Sequence, residues 1–310
     1  MTALQGTRGV VLLGAAMGLV LLGLDAAEAR LGLGGLTALV SLVPLALAVA
    51  LGGPRAGGLA AAVALGGVAL ALGGTAAVAV GLRHVLPGLA LGAALRQQVH
   101  LPASLVLVGG ANLLGILVLI WAYLPAGTHL LGLLGRQVES HVADLDRLSG
   151  LLGMSSDPTW VAESARLVTS TLQVAGPGIL TVGLLAVALT NYIGARLCLR
   201  GRGFRAFAEE AVPDHLVWAV IAAGVMLVSQ HDGIERVGLN VLIVLAPLYA
   251  IQGLAILRHF FQKARVPRPL QGVGFGLFAV QPLLLLAAAC LGLSDLWVDF
   301  RKIRGAATPA

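Results

Sequence analysis

Blocks of roughly 16–24 apolar residues follow one another along the chain, a length that crosses a bilayer as a helix. The first is "GVVLLGAAMGLVLLGL" at 9–24, preceded by Arg8 and followed by "DAAEAR". A basic start, an apolar core and Ala-Glu-Ala at 27–29 also fit a signal peptide. The segment is read here as a retained first span, because Gly14 and Gly18 form a small-residue ridge on which helices approach closely. A second span is expected at about 31–52 and a third at about 57–80, separated by "GGPRAGG", whose glycines and Pro54 break the helix. The stretch 82–98, interrupted by Pro87, is a short span or a re-entrant piece. Further spans are expected at about 102–124, 174–199, 215–229, 237–261 and 270–293. The pattern therefore predicts an all-α, polytopic helical membrane protein with about eight to nine transmembrane helices.

One region breaks the pattern. Between 125 and 172, Leu130, Leu134, Val138, Val142, Leu145, Leu148 and Leu152 recur every three or four residues among acids and arginines. That spacing gives one apolar face of an amphipathic helix. After the turn "SSDPTW" a short helix is expected at 158–170, so the insert reads as an amphipathic helical hairpin on the membrane surface. It divides the chain into an N-terminal Gly/Ala-rich bundle (1–124), an extracytoplasmic insert (125–172) and a C-terminal bundle with an interfacial tail (173–310).

Composition sharpens the class. Hydrophobic residues make up 58% and charged residues 11% of the chain, against about 25% charged in soluble domains. Mean hydropathy is +0.94. The formal charge of +6 sits at the ends of apolar blocks, not in an aromatic-flanked basic patch, so no nucleic-acid partner is expected. With the N-terminus inside, nine spans put Arg55, Arg96, Arg196–Arg205 and Lys263–Arg268 in the cytoplasm and the acidic insert outside. The membrane implied is the bacterial cytoplasmic (inner) membrane, crossed many times, with lipid as the bulk partner. Only Arg301, Lys302 and Arg304 dissent. A single span at 270–293 exports them, whereas a hairpin bent at Gln281-Pro282 returns them; the single span is taken as the expectation. Cys198 and Cys290 form no CxxC pattern and are expected to pack.

Catalytic signatures are missing. Lys263 and Lys302 are the two lysines, neither in a P-loop, and HExxH, GxSxG and a strand-borne GxGxxG do not occur. His141 near Asp144, and "HDGIE" at 231–235, read as polar surface, so no metal, no cofactor and no enzymatic activity are expected. Polar residues inside spans are costly in lipid and face the bundle interior. Asn112, Asn191, Tyr192, Tyr249 and Gln252 are the candidates for contact with a solute; Asn240 and Gln281 belong to the same class. The competing role for each is interhelical hydrogen-bonding, worth about 0.6 kcal/mol apiece. No Asp or Glu is expected in the middle of a span.

Four stretches in order, "GPGILTVGLLAVALTNYIGARLCLRGRGFRAF", "VPDHLVWAV", "LNVLIVLAPLYAIQGLAIL" and "LGLSDLWVDFRK", carry a resemblance to the YybS-like family, bacterial membrane proteins of unknown function. The family pattern falls here on Pro177, Asn191, Tyr192, Arg200, Pro213, Trp218, Tyr249, Gln252, Gly253, Asp295, Trp297, Asp299, Phe300 and Arg301. The N-terminal half is loosely similar to substrate-binding subunits of energy-coupling-factor transporters, in which a small-residue ridge docks the coupling subunit. That likeness implies such a role for Gly14 and Gly18.

Two functions follow as expectations. One is a small-solute-binding component of a transporter that lacks its own ATPase and depends on a coupling partner. The other is a non-enzymatic envelope or assembly factor acting through protein contacts. At the tail, helical spacing puts Asp295, Asp299 and Lys302 on one face and Trp297, Phe300, Arg301 and Arg304 on the other. Trp and Arg suit the headgroup region. The acids point to an ion-pair network of Asp295, Asp299 and Arg301 that locks the tail to a neighbouring loop.

Overall fold

The structure, a computed structural model, describes residues 7–31, 37–123, 158–199, 203–204 and 206–302. Among them every regular element is helical: α1 (Thr7–Leu31), α2 (Val43–Leu72), α3 (Gly74–Val80), α4 (Leu86–Arg96), α5 (Leu101–Tyr123), α6 (Pro158–Cys198), α7 (Leu216–Leu227), α8 (Asp232–Lys263), α9 (Arg268–Val280) and α10 (Pro282–Val298). A π-helical stretch, Gly81–Val85, links α3 to α4. Among the described residues six runs are long and apolar enough to cross a membrane: Thr7–Ala26, Thr37–Leu72, Gly74–Arg96, Leu101–Tyr123, Arg166–Cys198 and Asp232–Lys263. Counting the bent pair α9–α10 as one span makes seven, and α7 is a shorter apolar helix. The expected total of eight to nine is thus approximate.

Part of that difference lies in α2. Gly53 sits inside it at φ +79°, a left-handed conformation open to glycine, and a Cβ on Gly57 would collide with the Val49 side chain. In a straight helix eight residues rise about 12 Å, so the chain folds back on itself at Gly53. The two arms correspond to the spans expected on either side of "GGPRAGG". The run Gly74–Arg96 takes in the stretch that the sequence left open at 82–98.

The helices fall into two compact units: Met1–Ala122 with Gly183–Leu216 and Ala246–Ala310, and Tyr123–Val182 with Val217–Leu245. The sequential division at 124 and 172 therefore meets a partition that joins both ends of the chain in one unit. In that first unit, Gly14 and Gly18 abut Ala56–Val63 of α2, where an added Cβ would lie 2.8 Å from Ala56 O and 2.6 Å from Ala60 O. The small-residue ridge expected to dock a coupling partner is covered by the chain's own helix. Gly88 and Gly92 of α4 lie in the same way on Leu45, Ala46 and Val49. Close backbone approach is how helices associate where burial from water supplies no drive.

In the second unit α6 corrects a boundary. The short helix expected at 158–170 and the span from 174 are one helix, although Pro177 lies inside it. Asn240 explains the continuity: its Oδ1 accepts from Gly178 N at 2.6 Å and its Nδ2 donates to Val174 O at 2.8 Å. Those two groups are i and i−4 partners of one helical turn, so the amide is inserted into a ladder that proline opens. The rest of the amphipathic hairpin, 125–157, lies outside the described residues, as do Arg200, Arg202 and Arg205.

The expected single span at 270–293 is two helices, α9 and α10, bent by 102°. Pro282 opens α10 directly after Gln281, whose φ −101° and ψ 107° are extended. The helical tail also stops early: Asp299 is left-handed at φ 45°, and its N–H bonds Asp295 O. That turn takes Arg301 off the face of Trp297 and brings it back to Asp295. Cys198 and Cys290, expected to pack, are both exposed.

Candidate functional site

The first unit contains a stretch that is neither helix nor turn-length loop. After α6 the chain makes one 3-10 turn, Phe207–Glu209, and runs extended from Glu210 toward α7. Ala208, Glu210 and Val212 are buried along it. Buried non-helical backbone persists only where protein groups satisfy it, and two side chains do so here, Arg301 and Gln252, both held by Asp295. Arg301 Nη1 donates to Ala208 O at 2.9 Å and Glu210 O at 2.8 Å. Gln252 Oε1 accepts from Val212 N at 2.9 Å, while its Nε2 donates to Asp295 Oδ2 at 3.1 Å. Asp295 Oδ2 takes Arg301 Nη2 at 2.8 Å and its Oδ1 takes Phe300 N at 2.9 Å. Arg301 and Asp295 are 7% and 3% exposed, so this is a buried, hydrogen-bonded ion pair. Through Arg301 the tail is tied to the stretch that follows Arg196.

Glu210 faces the other way, into the bundle. Its Oε2 accepts from Leu101 N at 2.6 Å and lies 3.5 Å from His100 Nδ1; its Oε1 lies 3.7 Å from Arg196 Nη1. The carboxylate is 2% exposed. Leu101 opens α5, so the carboxylate serves the positive end of a helix dipole as well as an orphan amide. The Arg196 guanidinium lies over the rings of Tyr192, at 5.6 Å, and Phe204, at 5.0 Å, where cation–π attraction holds it.

Beside this cluster opens a groove of about 450 Å³ between the 183–198 part of α6 and the 246–263 part of α8. Leu101, Leu189, Ile193, Leu197, Phe207, Ile251 and Leu254 make its apolar lining, and Tyr192 and Arg196 its polar lining. Arg196 is the one charged side chain in that lining.

The residues singled out from sequence are placed as follows. Asn191 is fully buried: its Nδ2 donates to Ala38 O and Val187 O, each at 2.8 Å, and its Oδ1 accepts from Leu42 N at 2.9 Å. It holds the irregular segment that leads into α2. Asn112 donates to Val108 O of its own helix at 3.2 Å. With Gln252, these amides are engaged by backbone or by Asp295 and do not line the groove. Tyr192 lines it; Tyr249 is buried with its hydroxyl unmet and lies outside the lining. Trp297 is 67% exposed, and Asp299 caps α10.

Sequence reasoning missed Glu210, His100 and Arg196 as a group. It also missed a second cluster: Ser41 Oγ is 2.9 Å from His84 Nδ1, and Asp25 Oδ1 is 3.7 Å from His84 Nε2. Asp25 stands one residue from the end of the span Thr7–Ala26. The signal was present, since nothing in "DAAEAR" stops a helix and Leu31 is still helical.

Apolar spans and a buried polar network in place of an aqueous surface make this a helical integral membrane protein. The match of residues 32–296 to the model of a family described as "Predicted membrane protein (DUF2232)" covers most of the chain, which therefore belongs to that family. Neither a curated protein nor a solved structure matches it.

Proposed function

We propose that the protein is the solute-binding component of a transport system of the bacterial cytoplasmic membrane, without an ATPase or catalysis of its own, and that the groove between α6 and α8 holds the solute. The observation that carries this reading is the groove itself. Its volume of about 450 Å³ lies within the range of ligand pockets. It is mostly apolar with two polar side chains, Tyr192 and Arg196, in its lining, the usual make-up of small-molecule sites. A second support is the non-helical segment at 210–213, since broken elements held by polar side chains flank the binding sites of many transporters. Energy would come from a coupling partner.

The test is binding by purified protein in nanodiscs against a panel of radiolabelled apolar and amphiphilic solutes. One solute class is expected to bind saturably, one per protein, and Leu189→Trp, which fills the groove, is expected to abolish binding while leaving thermal stability unchanged. If no class binds to the folded protein and crosslinking returns a constant partner other than a coupling subunit, the transport reading falls and an assembly role replaces it.

A further inference from the structure

We infer that α9 is an interfacial helix, and that it and the basic turn before it hold anionic phospholipid against the protein. The inference concerns a surface apart from the groove and stands without it. Three observations carry it.

First, the packing lays α9 across the end of a span. Gly253 abuts Ala288 and Gly292 abuts Tyr249, so α10 runs antiparallel to α8. α10 therefore begins near the level at which α8 ends, at Lys263. The run Asp232–Lys263 is long enough to cross the membrane, and the 17 residues of α10 reach the lower limit for a span by themselves. With α8 and α10 crossing, the 102° bend between α9 and α10 turns α9 into the plane of the bilayer surface. Secondly, α9 is two-faced. Phe275 packs edge-on against Phe207 and Phe261, at centroid distances of 6.4 Å and 5.8 Å. Gln271 donates to Val266 O at 2.6 Å and accepts from Arg258. That face is fixed to the protein. Leu270, Val273, Leu277 and Val280 form a stripe at helical spacing, each more than half exposed. On a helix lying in the membrane plane, such a stripe sinks into the boundary between headgroups and acyl chains. Thirdly, charge is one-sided. Between Glu235 and Asp295 the chain contains no acid, while Lys263, Arg265 and Arg268 stand exposed where α9 begins. Among the described residues, none of these three side chains enters an ion pair or a hydrogen bond, and Glu209, on the turn that carries Phe207, pairs with none of them. Bases alone would only fix orientation. Bases beside an apolar stripe engage a lipid at both its phosphate and its chains.

For the test, the full-length protein with Cys198→Ser and Cys290→Ser is spin-labelled at one position at a time, through Leu270→Cys, Val273→Cys, Leu277→Cys and Val280→Cys. In vesicles of phosphatidylcholine and phosphatidylglycerol, accessibility to oxygen and to a nickel chelate reports depth. All four labels are expected about 5–10 Å below the phosphates. A depth that grows by about 15 Å from 270 to 280 makes α9 half of a span and overturns the placement. Exclusion of both reagents from all four labels puts protein on the stripe and overturns the lipid assignment. A second arm needs no label: the protein is delipidated and titrated with each phospholipid under native mass spectrometry. Phosphatidylglycerol is expected to bind more tightly than phosphatidylcholine. Each of Lys263→Gln, Arg265→Gln and Arg268→Gln is expected to weaken phosphatidylglycerol binding about fivefold and to leave phosphatidylcholine affinity unchanged. Equal affinity for the two lipids, or a preference that survives the three substitutions combined, overturns the anionic assignment.

Discussion

Replacing Arg301 by methionine is expected to destabilise the protein by about 3–5 kcal/mol, the cost of breaking a buried ion pair by removing one partner. Two carbonyls and a carboxylate depend on this side chain. Ala208 O and Glu210 O accept from Nη1, and Asp295, 3% exposed, accepts from Nη2. Without the guanidinium, Asp295 keeps the weaker donors Gln252 Nε2 and Phe300 N but no counter-charge. The irregular 208–212 backbone loses its strongest donors in a place where water cannot replace them. Thermal and denaturant unfolding in detergent measures the loss, and limited proteolysis at 203–215 reports where it begins. Asp295→Asn combined with Arg301→Met is expected to recover part of the stability, since no charge is then left buried. A loss below about 0.5 kcal/mol for Arg301→Met, the range of ordinary surface changes, would mean that the tail is only an anchor in the headgroup region.

The second large effect is expected where α8 and α10 touch. A Cβ on Gly253 would overlap Ala288 O, and one on Gly292 would overlap Tyr249 O. Both obstacles are backbone, which cannot rotate aside, so Gly253→Ala and Gly292→Ala must push two helices apart. Overpacking of this kind costs about 1–3 kcal/mol and at times more, and the upper end is expected here. Because Gln252 and Asp295 flank the contact, separation also loosens the polar network. Gly110→Ala serves as reference: nothing lies within 4 Å of its Cβ position, and alanine is favoured over glycine in a helix interior by about 1 kcal/mol. Equal stability of Gly253→Ala and Gly110→Ala would show that the two helices do not meet at these glycines.

The membrane class and most spans were legible because apolar length and helical backbone bonding are properties of a single segment. "GGPRAGG" announced its reversal for the same reason, through residues that cannot continue a helix. What escaped were features fixed by partners far along the chain. Pro177 reads as a boundary, and Asn240, sixty-two residues beyond Gly178, makes the helix continuous. "AEEAVPD" reads as a hydrated loop, yet Glu210 is buried because Leu101 N, 109 residues away, needs an acceptor. Arg196 looked like one more positive-inside residue, since sequence spacing cannot show that Tyr192 and Phe204 close around it. The intramembrane amides were legible as polar residues facing inward. Their use, holding broken backbone at Ala38–Leu42, Val174–Gly178 and Val212, depends on where backbone breaks, which no local pattern reveals.

The central claim is that the groove between α6 and α8 is a binding site and not a furrow filled by bulk lipid. Photolabelling in native membranes tests it most directly, using a decanoate analogue with a diazirine on its terminal carbon and mapping the modified residues by mass spectrometry. Labels concentrated on Leu189, Ile193 and Leu254, competed by unlabelled decanoate and lost in Leu189→Trp, are the predicted result. Labels spread evenly over other exposed apolar positions such as Leu114, Trp121 and Val225, with no competition, would contradict it.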